Sequence, residues 1–206
     1  MKRFAVFASG HGGNLQAIID ATRKKKIKAD LALVVCNKAD AFALERAKKA
    51  GIANIFIDPK NFKTREAYDR KTLEFLKEHK IDFVVLAGYM RLVTPVFIHA
   101  YPNKILNIHP SLIPSFKGLH GTKDAFDYGV KVTGITVHFV TEGMDEGAII
   151  AQDVVTITQK DTLDSLARKI HAKEHRLYPK VINLFAQGKL KIVGRKVVLQ
   201  TPGGRL

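Results

Sequence analysis

The sequence predicts an α/β protein with a doubly wound, mostly parallel sheet, helices on both faces and later strands that are partly antiparallel. Three observations predict this fold class. Apolar runs typical of buried strands alternate with helical patterns in the first half of the chain, giving four strand–helix units. A glycine-rich loop joins the first strand to the first helix. Further on, two long apolar runs follow each other with only a loop between them.

The elements of the first half follow from apolar periodicity and from the residues that interrupt it. Gly51 ends the second helix, and the apolar run at 82–87 stops before Gly88. The predicted strands are 3–8, 31–36, 54–57 and 82–87, and the predicted helices are 15–25, one ending at 50, and 64–79.

The second half begins with the apolar run Ile105–His109, which stops at Pro110 because proline has no backbone donor for a sheet ladder. A long helix is predicted over 163–186 from apolar residues at helical spacing. The other predicted elements are a short helix ending at 128, strands at 131–140 and 148–157, and a hairpin at 190–199 followed by a frayed end at 201–206. We expect one domain over 1–206, of which about 187–206 form a short C-terminal hairpin and tail.

Composition indicates a cytoplasmic protein with anionic partners. The 206 residues include one cysteine, Cys36, so no intramolecular disulfide can form, and no apolar stretch is long enough for a signal peptide or a membrane span. Cys36 is expected to pack as a small hydrophobic residue. The formal charge of +15 comes from 34 basic and 19 acidic residues and favours anionic ligands. Because the basic residues are dispersed, nucleic-acid binding is the minor alternative.

The end of the run 105–109 is a candidate catalytic position. Strand alternation puts Asn107 and His109 on the same side of the strand, about 6.6 Å apart along it. Open α/β sheets bind their ligands at the C-terminal ends of strands. An amide donor beside a titratable imidazole suits the stabilisation of an oxyanion and the supply of a proton. The alternative is a strand end whose polar side chains only bond to nearby loops.

The segment Ser9–Asn14 is a candidate phosphate site. A strand, a glycine loop and a helix in succession turn backbone N–H groups and a helix N-terminus toward an anion. The loop lacks the third glycine of the dinucleotide fingerprint and the Lys-Ser/Thr pair of a P-loop, so the kind of nucleotide is left open. A tight turn that uses glycine for steric reasons alone is the alternative.

Two features of the second half leave a functional and a structural interpretation open. The acidic, glycine-flanked loop Thr141–Gly147 is either a turn or a catalytic element. Glu174 falls on the apolar stripe of the long helix, so it is either paired with a cation or placed for a ligand. His171 and His175 offer two metal ligands, but nothing nearby completes a tetrahedral shell and no metal is expected.

Five segments together resemble the folate-dependent formyltransferase family, in order and from about Lys2 to Ala186. They read SGHGGNLQAIIDA, CNKADAFALERAKKAGI, VVLAGYMRLV, ILNIHPSLIPSFKGLHG and VHFVTEGMDEGAII. The ILNIHPSLIP segment followed by a DEG-type loop is typical of the whole family. The glycine loop with Asn14 and the short chain favour its phosphoribosylglycinamide branch.

The resemblance implies transfer of a formyl group from 10-formyltetrahydrofolate, as co-substrate, to the glycinamide amine of phosphoribosylglycinamide in de novo purine biosynthesis. The residues that match the family's catalytic positions are Asn107, His109 and Asp145, which makes the acidic loop a catalytic element. A tetrahedral oxyanion would accept hydrogen bonds from the Asn107 amide and from protonated His109, whose charged form Asp145 would favour.

The resemblance also implies which residues bind the two ligands. The phosphoribosyl substrate is assigned to Gly12, Gly13, Asn14 and Glu174. The folate is assigned to Arg65 near its glutamate tail, to Met90, Arg91, Leu92 and Val93 beside its pterin, and to Asn107 and Val140, with 140–145 closing over the ring. The expected partners are these small molecules, with no membrane and no metal, and the expected state is a monomer or a homodimer.

Three positions depart from the family pattern. His11 replaces a small polar residue, Gly13 a hydroxyl-bearing residue and His171 a frequent glutamine, which leaves the phosphate and ribose contacts in question. The alternatives within the family are formyl transfer to methionyl-tRNA, which normally involves a C-terminal barrel, and hydrolysis of formyltetrahydrofolate, which involves an N-terminal regulatory domain. We expect neither, and a nucleic-acid-binding module that kept the fold without the chemistry is the third alternative.

Overall fold

A computed structural model describes residues 1–200, in which nine strands form one mixed sheet. The strands are β1 Arg3–Ala8, β2 Asp30–Cys36, β3 Asn54–Phe56, β4 Phe83–Leu86, β5 Ile105–His109, β6 Val132–Phe139, β7 Ile149–Thr156, β8 Leu190–Val193 and β9 Lys196–Leu199. The helices are α1 Gly13–Arg23, α2 Phe42–Lys49, α3 Arg65–Glu78, α4 Pro95–Ala100, α5 Gly121–Tyr128 and α6 Leu163–Ala186, with a 3-10 turn at Pro59–Asn61.

The order of the strands confirms the predicted fold class. Strands β1 to β5 are parallel, in the order β3-β2-β1-β4-β5. Strand β6 is antiparallel to β5, and β7 is antiparallel to β6. The winding direction reverses between β1 and β4, where a crevice opens beyond the C-terminal ends of the strands.

The core lies on both faces of the sheet, because the central strands are apolar throughout and need cover on each side. Helices α1, α2 and α6 cover one face, with Ile18, Ala43 and Ile170 among the residues they bury. Helices α3 and α4 cover the other face through Leu76 and Phe97. This arrangement confirms the predicted helices on both faces.

Helix α6 begins and ends at the predicted residues. The Thr162 side chain accepts a hydrogen bond from the Ser165 N–H, and the Ser165 side chain accepts one from the Thr162 N–H, which fixes the helix start. At the middle of the sheet, the buried Tyr178 hydroxyl lies 2.9 Å from the Leu86 carbonyl and 3.0 Å from the Leu106 carbonyl. The helix is thereby anchored to the last residue of β4 and the second residue of β5.

Two short helical segments were not predicted. Helix α4 has only six residues and the turn Pro59–Asn61 has three, so neither shows a detectable apolar period. Proline occupies the start of each, where its missing N–H costs no hydrogen bond.

The predicted C-terminal hairpin is present as β8 and β9. Lys196 of β9 pairs with Ile149 of β7, so the hairpin extends the main sheet. The frayed end predicted at 201–206 lies outside the described residues.

Cys36 is buried, and its burial raises the pKa of the thiol to about 12, as expected of a packed hydrophobic residue. Within residues 1–200, none of the helices is both long and apolar enough to pass through a membrane.

Candidate active site

Two adjoining cavities occupy the crevice beyond β1, β4 and β5. The smaller, of about 270 Å³, is bordered by Asn107, His109 and the loop that follows β6. The larger, an open groove of about 1250 Å³, is bordered by the glycine loop that follows β1. Asn14 and His171 are among the residues that line both, so a ligand in one cavity reaches the other.

Strand pairing brings an unpredicted histidine to the end of β5. In the antiparallel β5–β6 register, Asn107 lies opposite His138. The Asn107 Nδ2 atom is 3.1 Å from His138 Nε2, and His138 Nδ1 is 2.7 Å from the Phe139 carbonyl. Since a carbonyl only accepts, Nδ1 carries the hydrogen and Nε2 accepts from the Asn107 amide. His138 therefore fixes the orientation of that amide.

His109 is almost fully buried, with 4% of its surface exposed, but it borders the smaller cavity. Its Nε2–H donates to the Phe116 carbonyl at 2.8 Å. Its Nδ1 lies 3.4 Å from the Asp145 Oδ2 atom. Because Nε2 already carries a hydrogen, a favourable contact between Nδ1 and the carboxylate requires a second one. The Asp145 carboxylate is therefore the acceptor available to a hydrogen on Nδ1.

Asp145 is held from three directions. Its Oδ2 accepts a hydrogen bond from the Gly118 N–H at 2.8 Å, and its Oδ1 is 3.5 Å from His138 Nε2. Burial alone would raise the pKa of the carboxyl, but the Gly118 N–H and the charge on His109 lower it. Asp145 is therefore a carboxylate near neutral pH. Of the predicted catalytic residues, His109 and Asp145 are in contact, Asn107 contacts His138, and all three line the smaller cavity.

The glycine loop turns sharply into α1 and leaves the first N–H groups of the helix free of intrahelical partners. Gly12 has a φ of 74°, and a side chain there would meet Ala43. A Cβ atom at Gly13 would lie 3.1 Å from His175 Nε2. The imidazole of His175 thus occupies space beside the loop that a hydroxyl-bearing residue at position 13 would need.

Arg46 of α2 is a second residue that the sequence did not single out. Its Nε and Nη2 donate to the carbonyl and the Nε2 of His11, both at 2.8 Å, and its Nη1 donates to Gln16 Oε1 at 2.9 Å. The His11 ring stacks on Phe42 at 5.3 Å between centroids. The departure at His11 is accommodated by this stack, and a guanidinium is fixed at the rim of the glycine loop.

Glu174 faces inward as its place on the apolar stripe predicts, and only 5% of its surface is exposed. Burial raises the pKa of its carboxyl to about 7, although a hydrogen bond from Asn14 Nδ2 at 3.0 Å opposes the shift. The alternative of an ion pair is not seen among residues 1–200, since the partner of Glu174 is this amide. Asn14 Oδ1 is buried without a partner in the same region.

The two histidines on α6 lie near Glu174. Burial lowers the pKa of His171, and burial together with the charges of His171 and Arg46 lowers that of His175. Both imidazoles are therefore favoured in the neutral form. Across the described part of the chain, no three histidine, cysteine or acidic side chains are grouped closely enough to hold a metal ion.

The segment predicted to face a pterin borders the smaller cavity. Residues 90–93 form one wall, and Val140 with 141–145 forms the opposite wall. Helix α3 holds the first wall in place: Arg65 Nη2 donates to the Leu92 carbonyl at 2.7 Å, and the Arg91 guanidinium lies 4.5 Å from the Tyr68 ring centre. Arg65 supports this wall from outside and does not line the cavity.

Ser9 also connects the two halves of the site. Its Oγ lies 2.6 Å from Asn37 Oδ1 and accepts a hydrogen bond from the Met90 N–H at 2.7 Å. Taken together, the crevice presents amide and imidazolium donors, an ionised carboxylate and a strip of free N–H groups. Such a set suits attack on a carbonyl carbon by a nucleophile carried on an anionic ligand.

Comparison with known proteins gives consistent results. The formyl transferase family model matches residues 2–182. Phosphoribosylglycinamide formyltransferase of Bacillus subtilis is 46% identical over 182 residues, which cover 88% of this chain and 93% of that protein. Glycinamide ribonucleotide transformylase 1 from Symbiobacterium toebii, a crystal structure, superposes with a TM-score of 0.96 at 49% identity, covering 98% and 95% of the two chains. The trifunctional purine biosynthetic protein adenosine-3 of Chironomus tentans is 45% identical over 193 residues, 93% of this chain and 14% of that protein.

Proposed function

This chain belongs to the formyl transferase family, and on that premise we propose that it transfers a formyl group from 10-formyltetrahydrofolate to the glycinamide amine of phosphoribosylglycinamide, in purine biosynthesis. The observation that carries the proposal is that Asn107, His109 and Asp145 all line the smaller cavity, which adjoins a larger groove of different character. One suits an extended aromatic donor and the other a phosphorylated acceptor.

The catalytic residues act on the tetrahedral species that forms when the amine attacks the formyl carbon. Asn107 uses one amide hydrogen toward His138, which leaves its second N–H to donate to the developing oxyanion. The His109 imidazolium stabilises the oxyanion by its positive charge and donates to it when one of its two N–H groups leaves the Phe116 carbonyl or Asp145, and the ionised Asp145 stabilises that charge.

The reaction forms one carbon–nitrogen bond and breaks another. The glycinamide nitrogen gains the formyl carbon and loses a proton, and the folate nitrogen loses the carbon and gains a proton. His109 is the group placed to move that proton, directly or through a bound water, because its charged form is an acid and its neutral form a base.

The phosphoribosyl substrate is assigned to the larger groove. The N–H groups of Gly12, Gly13 and Asn14 face the phosphate at the start of α1. Glu174 accepts hydrogen bonds from the ribose hydroxyls, and these are strongest with its ionised form. This assignment gives the buried carboxylate, whose pKa is raised to about 7, a ligand.

The folate is assigned to the smaller cavity, as a co-substrate and without a metal. Its ring fits between Met90–Val93 and Val140, where side chains such as Leu92 supply apolar contact and the backbone supplies polar groups. Asn107, which lines this cavity, is assigned to the formyl group. Arg65, which donates to the Leu92 carbonyl of that wall, is assigned to the anionic glutamate tail.

We assign the whole chain, 1–206, to one formyltransferase domain, with 187–206 as its short C-terminal hairpin and tail. The partners are the two small-molecule substrates, the assembly is a monomer or a homodimer, and the site of action is the cytoplasm. Nucleic acid plays no part in this assignment.

The test is an absorbance assay of tetrahydrofolate formation from 10-formyltetrahydrofolate with four acceptors: phosphoribosylglycinamide, methionyl-tRNA, water alone and a non-cognate amine. Fast transfer only with phosphoribosylglycinamide supports the proposal. Transfer to methionyl-tRNA, or folate release without an acceptor, would assign the chain to another activity of the family. Salt-sensitive RNA binding with no transfer would make it a nucleic-acid-binding module.

A further inference from the structure

The loop between β6 and β7 carries Asp145 and also forms the outer wall of the smaller cavity. Residues Thr141–Gly147, here named the catalytic loop, place both Met144 and Asp145 on that wall. A displacement of this loop would therefore open the cavity and separate Asp145 from His109 at the same time.

The backbone of the catalytic loop is tightly constrained. Asp145 has a φ of 54°, in the left-handed region that a residue with a side chain occupies at some cost. A side chain at Gly143 would clash with the carboxylate of Glu146, and one at Gly147 would clash with the Phe139 carbonyl. A strained conformation of this kind persists only where surrounding contacts hold it.

Three contacts from outside hold the loop in place. Lys117 Nζ lies 2.9 Å from Glu146 Oε1, and Arg195 Nη2 donates to the Glu146 carbonyl at 3.3 Å. At the other end of the loop, His99 Nε2 lies 3.0 Å from Glu142 Oε1. Two of the three converge on Glu146, the immediate neighbour of Asp145.

These contacts come from separate parts of the fold. Lys117 precedes Gly118, whose N–H binds Asp145, so one segment contacts both consecutive acids. Arg195 lies in the turn of the β8–β9 hairpin, which follows the residues matched by the family model. The hairpin is fixed to the sheet by the Ile149–Lys196 pairing.

We propose that Lys117 and Arg195 are positioning residues, which act through Glu146 to hold the catalytic loop closed with Asp145 against His109. The proposal rests on the function proposed above, since it assumes that Asp145 serves the reaction. It gives the C-terminal hairpin a role in folate binding and turnover. Glu146 is the loop residue through which both contacts act.

Weak contacts are sufficient to hold the catalytic loop closed. Exposed ion pairs change an equilibrium by roughly 1.5- to 5-fold each, which is little against the stability of a whole domain. The proposal includes an open state of the loop; where its free energy is close to that of the closed state, the same factors shift the closed population directly. Removing both contacts on Glu146 should change the affinity for folate by roughly 3- to 20-fold.

The test compares Glu146→Gln, Lys117→Gln and Arg195→Gln with the wild type. The matched control is Glu74→Gln, which removes the Lys71–Glu74 pair on α3, an exposed pair with a separation of 2.6 Å. Measured quantities are the KM of each substrate, kcat, and hydrogen–deuterium exchange of 141–147. A conservative variant, Lys117→Arg, keeps the charge.

We expect each of the three variants to raise the folate KM by roughly 2- to 5-fold and to speed exchange of the loop, while the phosphoribosylglycinamide KM and the melting temperature stay unchanged. Lys117→Arg should behave as the wild type, and Glu74→Gln should change nothing. The proposal is overturned if Glu146→Gln matches Glu74→Gln in both KM and exchange, or if Lys117→Arg fails as Lys117→Gln does. If the wild type transfers no formyl group, the proposed function is wrong. The exchange rates of 141–147 in the wild type and the variants still decide whether Lys117 and Arg195 hold the loop closed.

Discussion

The Nδ1 atom of His109 lies 3.4 Å from the Oδ2 atom of Asp145, and their side chains are only 5% and 10% exposed. Water screens such a pair weakly, so its charge state depends on its few direct neighbours. Removal of either partner leaves the other as a buried charge without a counter-charge. The first two predictions concern this pair.

His109→Ala should lower turnover by roughly 10²- to 10³-fold, because the transition state loses a charged hydrogen-bond donor and the proton carrier. Circular dichroism and melting should show an intact fold. His79→Ala is the control, since within residues 1–200 that imidazole bonds to the Phe75 carbonyl of the adjoining helix α3, away from the site. Near-normal turnover of His109→Ala would exclude this residue from the mechanism.

Asp145→Asn should lower turnover and move the alkaline limb of the pH–rate profile to lower pH. The carboxylate, whose pKa is lowered in the fold, stabilises a positive charge on His109, and the neutral amide does not. A profile of kcat against pH that has the same shape in variant and wild type would contradict the coupling.

Glu174→Ala should raise the KM of phosphoribosylglycinamide by roughly 10- to 100-fold, the effect of losing hydrogen bonds to a charged group, with little change in the folate KM. Steady-state kinetics with each substrate varied in turn measures both values. An effect confined to the folate would assign Glu174 to the other ligand.

Glu174 should also make stability depend on pH. Its pKa is about 7 in the fold against an ordinary value of 4.5, so between these values the folded chain binds more protons than the unfolded chain. The contribution of the neutral carboxyl is therefore present below about pH 4.5 and is lost as the pH rises through 7. Glu174→Gln should exceed the wild type in unfolding free energy by about 1 to 3 kcal/mol at pH 8 and by little at pH 4, as measured by urea denaturation. Equal differences at the two pH values would exclude this linkage.

Gly13→Ser should weaken phosphoribosylglycinamide binding, because its Cβ would come within 3.1 Å of His175 Nε2 and displace that ring. In a His175→Ala background the same change should cost much less, since the space is free. A double-mutant cycle on the KM measures the coupling. Additive effects would show that the two residues do not compete for this space.

The sequence predicted the elements with long apolar runs and left out those whose signal is short. Strands β1 and β5 and helix α6 were predicted at their observed bounds, because each has a run or stripe of apolar residues that ends at a clear break. Helix α4 was missed because six residues carry no period.

In the candidate site too, residues with a clear local signal were predicted and their distant partners were not. Glu174 could be identified because a carboxylate on an apolar stripe is unusual, and Asn107 and His109 because strand alternation places them together. Their partners required the fold: Asn14 is 160 positions from Glu174, and His138 meets Asn107 only through the β5–β6 register. A histidine in a strand whose other residues are apolar, glycine or threonine was the signal available for His138.

Because β1, β4 and β5 run parallel, the amino end of β1 lies at the opposite edge of the sheet from the active site. Met1, which is 92% exposed, precedes the start of β1 and so lies at the edge of the sheet away from His109, about 20 Å along the strand. An affinity tag, a dye or a surface linkage at the amino end leaves the ligand entrance free. The same attachment at the carboxyl end is carried by the hairpin that contacts the Asp145 loop, so immobilised or fused forms of the enzyme should be joined through Met1.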